Sequence, residues 1–398
     1  MVSLRIAIAG TRGVPPRYGG FETFAAELSS RLVARGHEVV VYCRETTRVI
    51  PSASEGPGWV GRDTSALGGA CPPTQVARYN RDDTWHGVER IVLPAIRHKY
   101  FETVSHTLLS AFDALRRDFD VILLCNAANA FVLPLLRAAR IPVAINVDGI
   151  ERHRRKWNVA GKGVYVIGES FSALFASRVV ADAGVIADYY RRRHGIEPVT
   201  ISYGAEFQSE DDSDVLHRLG VEPRSYILYV SRFEPENNPL EVVLAYERMS
   251  GVRPPLVMLG SAAYARDLET ELRRHASVRI RFPGALYGPD YRTLQRNALI
   301  YIQATEVGGT HPAMIEAMAS GGCVLAHDTP ENREVGGCAV GYFQLRPSET
   351  LSGTLHECLG SPAKREQMRI AARTRAAEKY GWTAVTDAYE RLFTEIAR

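Results

Sequence analysis

Long hydrophobic runs are missing from this chain of 398 residues, and its mean hydropathy is −0.14. No apolar stretch approaches the ~20 residues that carry a helix across a bilayer, so membrane-spanning helices are excluded. Cysteine is also scarce: the six residues Cys43, Cys71, Cys125, Cys323, Cys338 and Cys358 stand apart, without C-x-x-C spacing. Neither a zinc site nor a disulfide framework is indicated, and a reducing cytoplasm is the compartment that fits. The opening segment, residues 2–10, is apolar but short. It lacks a basic flank and a small-residue cleavage site, so a buried strand is expected there instead of a secretion signal. What is present is globular composition, 45% hydrophobic and 23% charged, in a chain long enough for two cores.

The net charge of +3 hides an asymmetry: residues 1–195 carry +8 and the remainder −5. Basic residues bunch at Arg97-His98-Lys99-Tyr100, at Arg152-His153-Arg154-Arg155-Lys156-Trp157 and at Arg191-Arg192-Arg193-His194. Such runs are either solvated faces or attract something anionic, a membrane surface or a phosphorylated ligand. For Arg152, Arg154, Arg155 and Lys156 with Trp157, the expectation is docking on anionic membrane, with lining of a cleft as the rival. No nucleic-acid partner is expected.

Periodicity gives the architecture. An apolar strand at 4–9 leads through a Gly-rich turn into a helix at 21–35, whose Phe24, Ala25, Leu28 and Leu32 recur at helical spacing. The strands expected at 39–42, 90–93, 121–124 and 142–147 are too uniformly apolar to be half exposed, which is the mark of a parallel sheet covered on both faces. Helices at 103–117 and 130–139 separate them. Between 48 and 81 the pattern dissolves into Pro, Gly, Ser and Ala, a long surface excursion. After a polar stretch at 208–214 the alternation resumes, with strands at 226–230, 256–259, 278–282, 299–303 and 323–327 and helices at 239–249, 263–275, 291–298 and 312–319. The fold class is therefore α/β, two Rossmann-like domains facing across a cleft. Residues 1–205 form the first and 206–382 the second, and ligands are expected between the carboxyl ends of their strands.

Three segments carry candidate chemistry. Gly10-Thr11-Arg12-Gly13-Val14-Pro15-Pro16-Arg17-Tyr18-Gly19-Gly20 joins the first strand to the first helix. Glycine there lets a ligand approach the backbone at a helix start that favours anions. The spacing is not a dinucleotide fingerprint, and no acidic residue ends the second strand. Gly19 and Gly20 are the candidate ligand contacts. In Ser231-Arg232-Phe233-Glu234-Pro235-Glu236-Asn237-Asn238, Arg232 stands where a guanidinium can hold a diphosphate. In Gly308-Gly309-Thr310-His311-Pro312, a helix start can receive phosphate, and Glu316 one turn on can accept hydrogen bonds from sugar hydroxyls.

Together these segments, with Tyr18-Gly19-Gly20-Phe21-Glu22-Thr23, Asn146-Val147-Asp148-Gly149 and Val307-Gly308-Gly309-Thr310, resemble bacterial glycosyltransferases of family 4, of GT-B fold, in their rhamnosyltransferase-type branch. The resemblance spans nearly the whole chain. It implies retaining transfer of a hexosyl or deoxyhexosyl group, such as rhamnosyl from dTDP-rhamnose, to a saccharide or lipid-linked saccharide in surface polysaccharide synthesis. A dTDP- or UDP-linked sugar is the implied donor substrate, with no cofactor and no metal. Gly19, Gly20, Arg232, Gly308, Gly309, Thr310 and Glu316 fall on the donor side, and Arg12, Tyr18 and Glu22 on the acceptor or phosphate side. Asp148 stands where many of these enzymes have a histidine, and a carboxylate there can take the acceptor's proton. The closing helix, 383–398, is implied to cross back onto the first domain. Two positions depart from the family pattern. The first glutamate of its donor-binding pair is replaced by Gly308, and the lysine following the diphosphate-binding arginine by Asn237. The alternatives are a sugar-nucleotide epimerase of similar architecture and a non-catalytic nucleotide-sugar-binding subunit. The expected location is cytoplasmic, peripheral on the inner face of the cell membrane.

Overall fold

The computed structural model describes residues 3–16, 19–45, 84–96, 101–154, 159–206, 213–251, 253–262, 265–346 and 349–397. Tyr18, the 48–81 excursion, the Arg97–Tyr100 run, Arg155, Lys156, Trp157 and most of the polar 208–214 stretch lie outside them.

The first unit runs β1 (Arg5–Ala9), α1 (Gly20–Ala34), β2 (Glu38–Arg44), β3 (Thr84–Trp85), β4 (Val88–Leu93), α2 (Phe101–Ala114), β5 (Val121–Cys125), a 3₁₀ turn (Ala127–Val132), α3 (Leu133–Ala138), β6 (Val143–Asn146), a second 3₁₀ turn (Glu151–His153), α4 (Val159–Phe175), β7 (Arg178–Ala181), α5 (Gly184–His194) and β8 (Val199–Thr200). Its eight strands lie in the order β3-β4-β2-β1-β5-β6-β7-β8 and are parallel except for the β3–β4 hairpin. The uniformly apolar β5, Val-Ile-Leu-Leu-Cys, is buried along its whole length, as a strand covered on both faces must be.

The second unit runs α6 (Val215–Arg218), β9 (Ile227–Val230), a 3₁₀ turn (Pro235–Asn237), α7 (Pro239–Glu247), β10 (Leu256–Leu259), α8 (Arg266–Arg274), β11 (Ile280–Gly284), α9 (Gly288–Asn297), β12 (Ile300–Gln303), α10 (Pro312–Ala319), β13 (Val324–His327), α11 (Pro330–Gly336), β14 (Gly341–Phe343), α12 (Glu349–Gly360) and α13 (Pro362–Lys379). Its six parallel strands are ordered β11-β10-β9-β12-β13-β14. The expected pair of α/β domains is present. The longest segment that periodicity did not assign is α4–β7–α5. Three glycines interrupt α4 and β7 is only four residues long, so neither shows a sustained period.

A last helix, α14 (Trp382–Ile396), returns to the first unit and packs on α1. Phe24 of α1 sits 5.4 Å from Tyr389, centroid to centroid, and Arg35 pairs with Asp387 at 2.6 Å and Glu390 at 2.5 Å. Where the chain crosses, Ala205 N–H donates to Tyr380 O at 2.7 Å, so the two crossing segments run side by side.

Candidate functional site

Between the units lies a cavity of about 770 Å³, in the size range of small-molecule sites. Its floor is built from strand ends and helix starts. Gly19 and Gly20, at the start of α1, form part of the wall, and a Cβ on Gly20 would stand 3.0 Å from the Pro312 ring at the start of α10. The glycine loop thus brings one domain's helix start against the other's. Gly10 and Gly13 serve packing: both have positive φ, and a Cβ would strike Cys125 O and Cys43 Sγ respectively, each at 2.4 Å.

Arg232 follows β9 and faces the same cavity. Its loop is pinned by Asn237, which donates from Nδ2 to Arg232 O at 2.7 Å and accepts at its own carbonyl from Tyr229 OH at 2.7 Å. The residue in the lysine's place therefore shapes the loop and adds no charge. A second cation comes from the first domain: Arg154, just ahead of α4, lines the cavity and is buried. It pairs with Glu151 at 2.6 Å and, across the cleft, with Glu234 at 3.4 Å and Glu236 at 3.5 Å. These carboxylates hold its guanidinium protonated despite burial. Glu234 lies between the two arginines, with its other oxygen 3.5 Å from Arg232 Nη1. Arg154 corrects the expectation of a membrane-facing cluster, because carboxylates from both domains draw it inward. Arg152 is likewise engaged, 3.4 Å from Glu169 and donating to Tyr189 OH at 2.9 Å. The basic run was visible in the sequence, but its partners Glu234 and Glu236 are about eighty residues away, so its direction was not.

Glu316 stands on α10, also in the cavity wall. It accepts from Tyr291 OH at 2.5 Å, and Tyr291 in turn accepts from Gln295 Nε2 at 2.9 Å. This chain fixes the carboxyl's orientation, and burial raises its pKa. His311, ahead of α10, also lines the cavity. Desolvation first, and Arg154 second, push its pKa down to about 4, so it faces a ligand as neutral imidazole at pH 7. Tyr291 and Gln295 carried no motif; His311 stood in the Gly308–Pro312 segment without a role of its own, and Arg154 falls where the rival expectation for its basic run, lining of a cleft, put it.

Gly308, Gly309 and Thr310 come to the cleft but turn toward the first domain and are not part of the cavity wall. Thr310 N–H donates to Asp182 Oδ2 at 2.7 Å and its hydroxyl to Asp182 O at 2.5 Å. A Cβ on Gly309 would overlap the Asp182 carboxylate, and one on Gly149 would come within 2.5 Å of the Gly308 backbone. Nearby, Glu334 accepts from the Gly184 and Val185 N–H groups at 2.5 and 2.9 Å, capping α5 from the other domain. Asp148 sits at the end of β6 with φ +54°, beside this seam. Its N–H donates to Asn146 Oδ1 at 3.0 Å and its Oδ1 accepts from Tyr203 OH at 3.5 Å. Burial and Glu151 raise its pKa, while Arg154 and Arg232 oppose the shift. Arg12 and Glu22 lie behind the glycine loop: Glu22 Oε1 accepts from Arg12 N–H at 3.0 Å, and the Arg12 guanidinium is 3.6 Å from Glu102. Among the described residues no His, Cys, Asp and Glu cluster could hold a metal ion.

Two family patterns tile the chain: residues 19–204 match the glycosyl transferase 4-like domain, and residues 217–375 match glycosyl transferases group 1. The chain is a glycosyltransferase of GT-B type. Solved structures share the enzyme's fold from end to end. Sucrose-phosphate synthase from Thermosynechococcus elongatus superposes with a TM-score of 0.76 at 18% identity, covering 98% of both chains. HepE of Anabaena, in complex with UDP-glucose, gives 0.73 at 14% identity over 98% of this glycosyltransferase and all of that chain. The catalytic domain of starch synthase IV from Arabidopsis thaliana, bound to ADP and acarbose, gives 0.68 at 14% identity over the whole of both. No curated protein matches the enzyme by sequence. Glycosyltransferases of this kind take nucleotide-sugar donors as substrates.

Proposed function

We propose that the enzyme transfers a hexosyl or deoxyhexosyl group, with retention, from a nucleoside diphosphate sugar to a saccharide carried on a lipid, in surface polysaccharide synthesis. The observation that carries this reading is the convergence of Arg232, Arg154, Glu316 and the start of α10 on one cavity. A leaving diphosphate needs positive charge and backbone donors held in place before the bond breaks. Arg232 and Arg154 supply that charge once the diphosphate displaces Glu234 from between them, and Glu316, held by Tyr291, accepts from a ribose hydroxyl. The rhamnosyl group and its dTDP carrier rest on the sequence resemblance, and a UDP-linked donor on the likeness to HepE with UDP-glucose.

Arg232→Ala and Glu316→Ala are each expected to weaken donor binding by ~1.5–3 kcal/mol, the worth of a charge-assisted hydrogen bond. Calorimetry with dTDP-rhamnose and UDP-glucose checks this, and unchanged affinity in both folded variants removes the proposed donor site. Donor turnover that needs no acceptor would favour an epimerase; binding without turnover would favour a non-catalytic subunit.

Asp148 is the proposed base, its raised pKa bringing it nearer the working pH. Asp148→Asn should lower kcat by ~10² to 10⁴ with donor affinity retained. The acid limb of the pH–rate profile, set above the ordinary carboxylate range in the wild type, should vanish with it. A variant that keeps wild-type turnover reduces Asp148 to a support of the cleft wall.

A further inference from the structure

Two helices of the first domain hold large apolar side chains out to solvent. On α2, the residues buried against the sheet are small or polar, His106, Thr107, Ser110, Ala111 and Ala114, while Phe101, Leu109 and Phe112 face outward and are exposed. On α4 the buried side carries Tyr165, Gly168, Glu169 and Ser172, with Phe171 and Phe175 half-buried against the core, while Val164, Ile167 and Leu174 project at i, i+3 and i+10, each more than half exposed. An ordinary surface helix shows the reverse of the α2 pattern, and its outer side lacks the apolar residues that α4 carries there. The feature is concentrated. Of the twelve exposed large apolar side chains among the described residues, eight lie on these two helices, so they form a patch and not scattered surface residues. Both helices pack on the Ala127–Val132 turn, on the same side of the sheet.

The charges around the patch say what it meets. The carboxylates of α2 and α4 are engaged elsewhere: Glu102 with Arg44 and Arg12, Asp113 with Arg117, and Glu169 with Arg152. The exposed charges on and next to these helices are mostly cations: Arg116, Lys162, and Arg137 and Arg140 at the end of α3, which packs on α4, against the carboxylate of Asp118. The geometry points to an anionic lipid bilayer as the partner of the α2–α4 face. Apolar side chains enter the headgroup boundary while the cations meet acidic headgroups. A second copy of this face would bring like charges together. Because the Glu151–His153 turn that leads to Arg154 packs on α4, a bilayer against this face would also lie near the cavity, where a lipid-linked acceptor would arrive. The inference deepens the lipid-linked reading and takes its purpose from it, but the surface can be tested with no acceptor present.

The full chain is co-sedimented with phosphatidylcholine vesicles, with and without phosphatidylglycerol, at low and high salt. Two double variants accompany it, Leu109→Ser with Phe112→Ser and Val164→Ser with Ile167→Ser, each checked for an unchanged melting temperature. The wild type should bind the acidic vesicles in a salt-sensitive way, and each variant should bind at least about tenfold more weakly. Equal binding by all three proteins, or no binding by the wild type, overturns the assignment. So does a wild-type dimer in sedimentation velocity that the variants dissociate while none of the proteins binds vesicles. Transfer to a short-chain, water-soluble acceptor reports separately on the lipid-linked reading, since these substitutions leave it unchanged.

Discussion

Arg154→Met is expected to destabilise the enzyme by ~3–5 kcal/mol, the cost of removing one partner from a buried ion pair. The side chain of Glu236 is fully buried and that of Glu234 nearly so, and both face Arg154 across the cleft, so a neutral methionine removes the cation that compensates them inside the protein. Donor-dependent turnover should fall as well, since one of the two proposed diphosphate cations is gone. Chemical denaturation of wild type and variant measures it. A loss under about 1 kcal/mol would mean the cluster relaxes toward solvent and does not hold the domains together.

Gly149→Ala should cost even more in rate while costing little in folding of either domain. Its methyl group would stand 2.5 Å from the Gly308 Cα and carbonyl carbon, which are backbone atoms that cannot rotate away. The domains must then part at the seam where Thr310 meets Asp182 and Glu334 meets α5. A displacement near 1 Å between reacting groups can cost about 10² in rate. We expect kcat/KM to drop by at least that factor, nucleoside diphosphate affinity to fall much less, and small-angle scattering to show a more open particle. Wild-type kcat/KM would show that the seam tolerates opening during the reaction.

Strands such as β5 and β10 were readable in the sequence because every residue in them is apolar, and only a sheet covered on both faces demands that. The cavity was readable in part. Gly19, Gly20, Arg232 and Glu316 follow strand-to-helix turns, and such turns collect at one edge of a parallel sheet. The direction of Arg154 was not readable, because it is decided by carboxylates in another domain. Helix α4 was missed for the reason that makes it interesting: it carries large apolar residues on both sides, Tyr165, Phe171 and Phe175 inward and Val164, Ile167 and Leu174 outward, so no single amphipathic stripe is there to find. Gly308 and Gly309 look like a phosphate loop in one dimension, but the Asp182 carboxylate occupies the space beside them in three.

The return of α14 to α1 bears on how the protein is made. The apolar flank of α1, with Phe24 against Tyr389 and Trp382, gains its cover from a segment that leaves the ribosome after the whole second sheet. The first domain therefore cannot finish its core while its own residues are being translated. During that interval the nascent chain presents a bare aromatic surface, and the newborn enzyme should be most dependent on chaperones then.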